Sequence, residues 1–306
     1  MAAHSYGASK KRFAKTRSLH RYGADLKGFG ISQQAFCNAK WSLYIRRHCL
    51  LRMRTPFELQ NDFSVAILSL PKFFREDAAV TAQTMQIGNR PCRIYGELHA
   101  EYLLLQMTGE HEQQSMDSEV AAIAQSAHHF LFAAVPVESW NDALSPWDAP
   151  AVWGKQGFGG DAADTLCFLT EQVIPTLKQQ FNLPENVKII LGGYSLAGLF
   201  ALWASTQTDL FYGVAAASPS VWFPGWIEFE QQHPIQAQRV YLSLGDKEER
   251  TKNAVMAAVG DNIRALHSRL TARGADCTLE WNSGGHFKDA DLRTARAFQW
   301  AMEESR

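Results

Sequence analysis

The chain has 306 residues, 46% of them hydrophobic and 11% aromatic, ample for a sizeable core. No apolar run approaches the roughly 18 residues that a membrane span needs, so a membrane partner is not expected. The formal net charge of −1 conceals a division: residues 1–54 hold 12 of the 30 Lys and Arg against one acid, Asp25, which leaves the remainder acidic.

That basic, acid-poor segment has the composition of a nucleic-acid arm or a transit-like leader. It lacks a secretory apolar core, because Tyr44-Ile45 and Cys49-Leu50-Leu51 are interrupted by Arg46, Arg47 and His48. Without sustained periodicity, residues 1–84 read as a poorly ordered N-terminal extension and 85–306 as one folded domain. A nucleic-acid partner is therefore not expected. The run Phe63–Leu70, followed by Pro71, has no assigned role. Cys37, Cys49, Cys92, Cys167 and Cys277 show no C-x-x-C spacing, so Cys167 and Cys277 read as buried free thiols suited to a reducing compartment, the cytoplasm.

From Met85 the pattern becomes regular. Arg93–Gly96 predicts a short edge strand, Tyr102–Met107 a buried strand ending at Thr108-Gly109-Glu110-His111, and Asp117–Ser126 a short helix. Phe130–Val137 predicts a second buried strand, which opens into a long polar and aromatic loop over 138–161. Asp164–Phe181 is amphipathic, with Pro175 placed to kink it. Val187–Leu191 is a short β-branched run, and Leu196–Trp203 is apolar at helical spacing. Strands follow at Phe211–Ala217, Arg239–Leu244 and Cys277–Trp281, with helices over 253–273 and 290–302. Strands alternating with helices imply a mostly parallel sheet covered on both faces.

The chemistry centres on Gly192-Gly193-Tyr194-Ser195-Leu196-Ala197-Gly198, a turn of small residues between a buried strand and a helix. This is the context of a nucleophile elbow, G-x-S-x-G with Ala197 at the second glycine, and it lifts the Ser195 hydroxyl clear of the sheet. Functional groups of such sheets gather at the carboxyl ends of strands. After Ser195, only His233, His267 and His286 remain as candidate bases. His233 lies in a polar stretch and His267 is mid-helix, whereas His286 follows Gly284-Gly285 at a strand end. The acid lies among Asp246, Glu248 and Glu249, with Glu248 favoured three residues after Gly245 and the others solvated.

Two weaker signals point elsewhere. His128-His129 would face opposite sides of a strand, which speaks against a metal site. Gly157-Phe158-Gly159-Gly160 has neither the preceding strand nor the Lys-Ser/Thr of a phosphate loop, and reads as a flexible loop near the site mouth.

Together GGYSLAGLFALW, SPSVWF, SLGDKEE and GGHF resemble the putative-esterase family of the α/β-hydrolases, its enterobactin-type siderophore esterase and S-formylglutathione hydrolase-like branch. The resemblance covers about Arg93 to Trp300. It implies a three-layer α/β-hydrolase fold with a mostly parallel central sheet and little or no cap. It also implies Ser195 as nucleophile, Glu248 as acid, His286 as base, and Tyr194 and Trp222 against the substrate, with no metal or organic cofactor. The expected activity is cleavage of small-molecule carboxylic esters or thioesters through an acyl-enzyme, the oxyanion held by the Leu196 and Glu110 backbone N–H groups. The alternatives are acyl transfer on the same triad, or a non-catalytic binding protein that uses the basic N-terminal arm.

Overall fold

The computed structural model describes residues 82–96 and 98–303. The segment 1–54, the run Phe63–Leu70, and Cys37 and Cys49 lie outside these residues. The strands are β1 (Gln83–Ile87), β2 (Arg90–Gly96), β3 (Tyr102–Thr108), β4 (Phe130–Pro136), β5 (Asp148–Ala149), β6 (Phe158–Gly159), β7 (Lys188–Tyr194), β8 (Gly213–Ala217), β9 (Arg239–Gly245) and β10 (Asp276–Asn282). The helices are α1 (Glu110–Ala124), α2 (Trp140–Leu144), α3 (Ala162–Phe168), α4 (Ile174–Gln180), α5 (Leu196–Gln207), α6 (Trp226–Gln232), α7 (Ala254–Ala257), α8 (Val259–Ala272) and α9 (Ala290–Met302).

The main sheet has the order β1-β2-β4-β3-β7-β8-β9-β10. From β4 to β10 every neighbour is parallel, while β1 and β2 add an antiparallel margin. Parallel central strands are covered on both faces, which is why β3, β8 and β9 are buried at every position. On one face, Met116, Val120 and Ile123 of α1 and Phe298 and Ala301 of α9 pack over Leu104, Phe132, Ile190 and Ala215. On the other, Leu199, Phe200 and Leu202 of α5 and Ile263 and Leu266 of α8 share a core with Leu105, Leu191 and Leu242. The result is the expected three-layer architecture. Among the described residues, no helix is long and apolar enough to cross a membrane.

Several boundaries differ from the sequence reading. Arg93–Gly96 belongs to β2, which is not an edge, because β1 lies outside it and begins at Gln83. Helix α1 starts at Glu110 rather than Asp117, since its opening turns are polar and largely exposed and carry no apolar stripe. The helix over 164–181 is broken by a π turn at Leu169–Val173 just before Pro175, which has no N–H to continue the ladder. The helix over 253–273 divides into α7, capped by the Asn253 side chain, and α8. The loop 138–161 contains α2 and the β5–β6 hairpin, and periodicity gives no warning of α6. His128 and His129 precede β4 instead of lying in a strand. Cys92 and Cys277 are free, but Cys167 is disulfide-bonded, so the argument from free thiols to a reducing compartment does not extend to it.

Candidate active site

In chain order, β3 and β4 lie on one side of a reversal and β7 to β10 on the other, so the switch point falls between β3 and β7. Ligands of open α/β sheets bind at the carboxyl edge beside such a point. Glu110, Ser195, Leu196, Trp222, Glu248 and His286 all emerge at that edge, after β3, β7, β8, β9 or β10.

At the end of β7, Ser195 has φ 57° and ψ −119°, a conformation that costs a non-glycine residue strain. The turn is held from three sides. Ser195 N donates to Ala217 O at 3.1 Å, while Leu199 N and Ser220 N donate to Ser195 O at 3.1 Å and 3.0 Å. A Cβ at Gly193 would lie 2.6 Å from the Ala197 Cβ, so glycine at 193 lets alanine stand at 197. Strand and helix can then approach closely enough to present the hydroxyl.

The three predicted side chains meet. Ser195 Oγ is 3.0 Å from His286 Nε2, and His286 Nδ1 is 2.7 Å from Glu248 Oε2. With its proton on Nδ1, the imidazole leaves Nε2 free to accept the serine proton. The other oxygen, Glu248 Oε1, accepts from Ser218 Oγ at 2.8 Å, Gly245 N at 2.8 Å and Arg293 Nη1 at 3.3 Å. Burial opposes charge on this carboxyl, but the hydrogen bond and charge of His286, joined by the Gly245 and Ser218 donors, hold it below its ordinary value. Glu248 is thus an ionised acceptor at neutral pH.

Of the neighbouring acids, Asp246 is exposed, as expected, and Glu249 half-buried, and each also has a partner in the protein. Asp246 Oδ1 accepts from Gly284 N at 2.8 Å and ties the glutamate loop to the histidine loop. Glu249 pairs with Arg264 at 2.8 Å. His233 stacks on Phe229 with ring centroids 4.0 Å apart, a packing role, and His267 lies within α8.

Leu196 and Glu110 open α5 and α1, where backbone N–H groups have no carbonyl one turn earlier to bond. The register of β3 on β7, with Gln106 opposite Gly192, brings both helix starts to the same stretch of the edge. Gly109 N is occupied by Glu112 Oε2 at 3.0 Å. Trp222 is half-buried with its ring 6.4 Å from Phe158. Tyr194 is turned inward, away from the substrate role expected for it. Its hydroxyl donates to His286 O at 2.7 Å and accepts from Arg293 Nη1 at 3.1 Å, so both functions of the group are spent inside the protein.

Three residues of this network escape sequence reading. Ser218, at φ 43°, bonds the acid, and Ser220 Oγ lies 3.3 Å from Ser195 Oγ. Both stand in the Ser218-Pro219-Ser220 motif, whose hydroxyls were the available signal. Arg293 gives none, since it sits in an amphipathic helix like any surface arginine. Among the described residues, neither free thiol competes as a nucleophile, because burial pushes Cys92 up to about 11 and Cys277 to about 12.

A three-layer fold bearing a serine, carboxylate and histidine in this chain order at the carboxyl edge of its sheet defines an α/β-hydrolase. Residues 113–290, more than half of the chain, match the family model described as "Putative esterase", and the chain belongs to that family, whose members act on esters. The chain is 23% identical over 200 residues to "Uncharacterized protein YbbA" of Bacillus subtilis (strain 168), an alignment that covers 61% of this chain and 79% of that protein. Among solved structures it resembles an IroE-like serine hydrolase from Shewanella oneidensis (TM-score 0.61, 16% identity, 72% of this chain and 79% of that one). It also resembles the siderophore hydrolase EstB from Aspergillus nidulans (TM-score 0.55, 19% identity, 78% and 97%). A third is the enterobactin esterase FES from Shigella flexneri (TM-score 0.54, 15% identity, 73% and 60%). At these identities the likeness is one of fold.

Proposed function

We propose that the protein is a serine-type carboxylic ester hydrolase working through an acyl-enzyme on Ser195. The observation that carries this reading is the continuous relay from Ser195 Oγ through His286 to Glu248, at 3.0 Å and 2.7 Å. As Ser195 attacks the ester carbonyl, His286 Nε2 takes its proton and Glu248 offsets the positive charge that forms on the ring. The Leu196 and Glu110 N–H groups receive the oxyanion. His286 then protonates the departing alcohol, or thiol in a thioester, and water releases the acyl group by the same steps in reverse roles. Each step uses groups of the chain itself.

The substrate is a small-molecule ester. Because two of the fold neighbours are named for siderophores or enterobactin, an ester-linked siderophore belongs in the substrate panel beside simple acyl esters and thioesters. The test is intact-mass spectrometry after rapid acid quench with a p-nitrophenyl acyl ester in excess. The protein should gain the mass of one acyl group, mapped to the Ser195 peptide. Turnover without any adduct on Ser195 under burst conditions would remove the covalent mechanism. Addition of an alcohol acceptor separates the acyltransferase reading, which requires the alcohol to outcompete water.

A further inference from the structure

We propose that Arg293 is a positioning residue for the reaction, a buried cation that fixes the Glu248 carboxylate and the His286 loop. This rests on the triad reading above.

Arg293 is 4% exposed and stands near the start of α9. Its guanidinium donates from Nη1 to Tyr194 OH at 3.1 Å and to Glu248 Oε1 at 3.3 Å, and from Nη2 to Ser283 O at 3.2 Å. Tyr194 OH in turn donates to His286 O at 2.7 Å. One rigid fork therefore reaches the residue before the nucleophile, the acid and the loop that carries the base, and Tyr194 ties a second point of that loop. A solely structural arginine would need partners; it would not need these three loops in particular.

Glu248 offsets the positive charge that forms on His286 during the reaction, and Arg293, with Ser218 and Gly245 N, holds its other oxygen in place. Among the described residues, the neighbouring charged groups have partners of their own: Lys288 lies 3.9 Å from Asp289, Asp246 is bonded to Gly284 N, and Asp291 of α9 to Ser118 of α1.

The test is steady-state hydrolysis of an acyl ester by the full-length protein. Arg293→Lys keeps the charge and loses the fork, and Tyr194→Phe removes the hydroxyl that ties Arg293 to His286 O; each should lower kcat about tenfold with KM little changed, a split that a merely structural role would not produce. Normal kcat in both folded variants, or a loss carried by KM instead, would overturn the inference. Failure of the triad itself is recognised independently, by a wild-type protein that forms no covalent adduct at Ser195.

Discussion

A carboxylate can orient an imidazole only if one of its oxygens is held elsewhere, and Glu248 meets that condition with three donors on Oε1 and His286 on Oε2. Asp246 and Glu249 are committed to Gly284 N and Arg264. Glu248→Gln should accordingly lower kcat/KM by on the order of 10³-fold or more, since the amide cannot support an imidazolium. Asp246→Asn keeps an acceptor oxygen for Gly284, and Glu249→Gln loses only a surface ion pair, so both should stay within about tenfold of wild type. The measurement is steady-state hydrolysis of one ester by all three variants, and a greatest loss in Asp246→Asn would reassign the acid. At this scale Ser195 and His286 were legible because few residue types can do their chemistry and elimination left one histidine at a strand end. Arg293 was not, because its role exists only through contacts 45 and 99 residues away in sequence.

Elements were legible in proportion to how much of their pattern local burial dictates. The β7 strand and α5 helix stand out because nearly every residue from Ile189 to Ser205 is buried. The start of α1 was missed because exposed polar turns look the same in a helix and a loop. The same helix holds a testable feature. Glu119 is buried against Gln106, whose Nε2 donates to Glu119 Oε2 at 3.3 Å, and both Oε1 atoms lack partners. Burial, with Asp291 and Glu112 adding repulsion against the Gln106 bond, raises the Glu119 carboxyl well above its ordinary value. The folded protein therefore holds a proton that the unfolded chain releases. This contribution to stability is complete below the unfolded value near 4.5 and is lost as pH rises through the folded one. Glu119→Gln supplies a donor for Gln106 Oε1 and does not titrate, so its melting temperature should rise relative to wild type as pH increases from about 5 to 8. A pH-independent difference between the two would mean that Glu119 is ionised in the fold.

For the whole molecule, a three-layer arrangement was readable from alternation of strands and helices, but the domain start was not fixed to the residue. Strand β1 begins at Gln83, yet it is the sheet's outer strand and three of its five residues are exposed, so losing Gln83 and Thr84 removes little buried surface. We expect a protein beginning at Met85 to show one cooperative thermal transition and ester turnover within a few-fold of the full chain; loss of that transition would make residues before Met85 part of the core. Every role proposed for the site depends on Ser195 being the nucleophile of an esterase. The direct measurement is reaction with a fluorophosphonate, followed by peptide mapping and residual ester hydrolysis. One adduct per chain on Ser195 is predicted, with hydrolysis falling in step with labelling and both absent in Ser195→Ala. Modification of a different residue, or hydrolysis that persists after Ser195 is fully labelled, would contradict it.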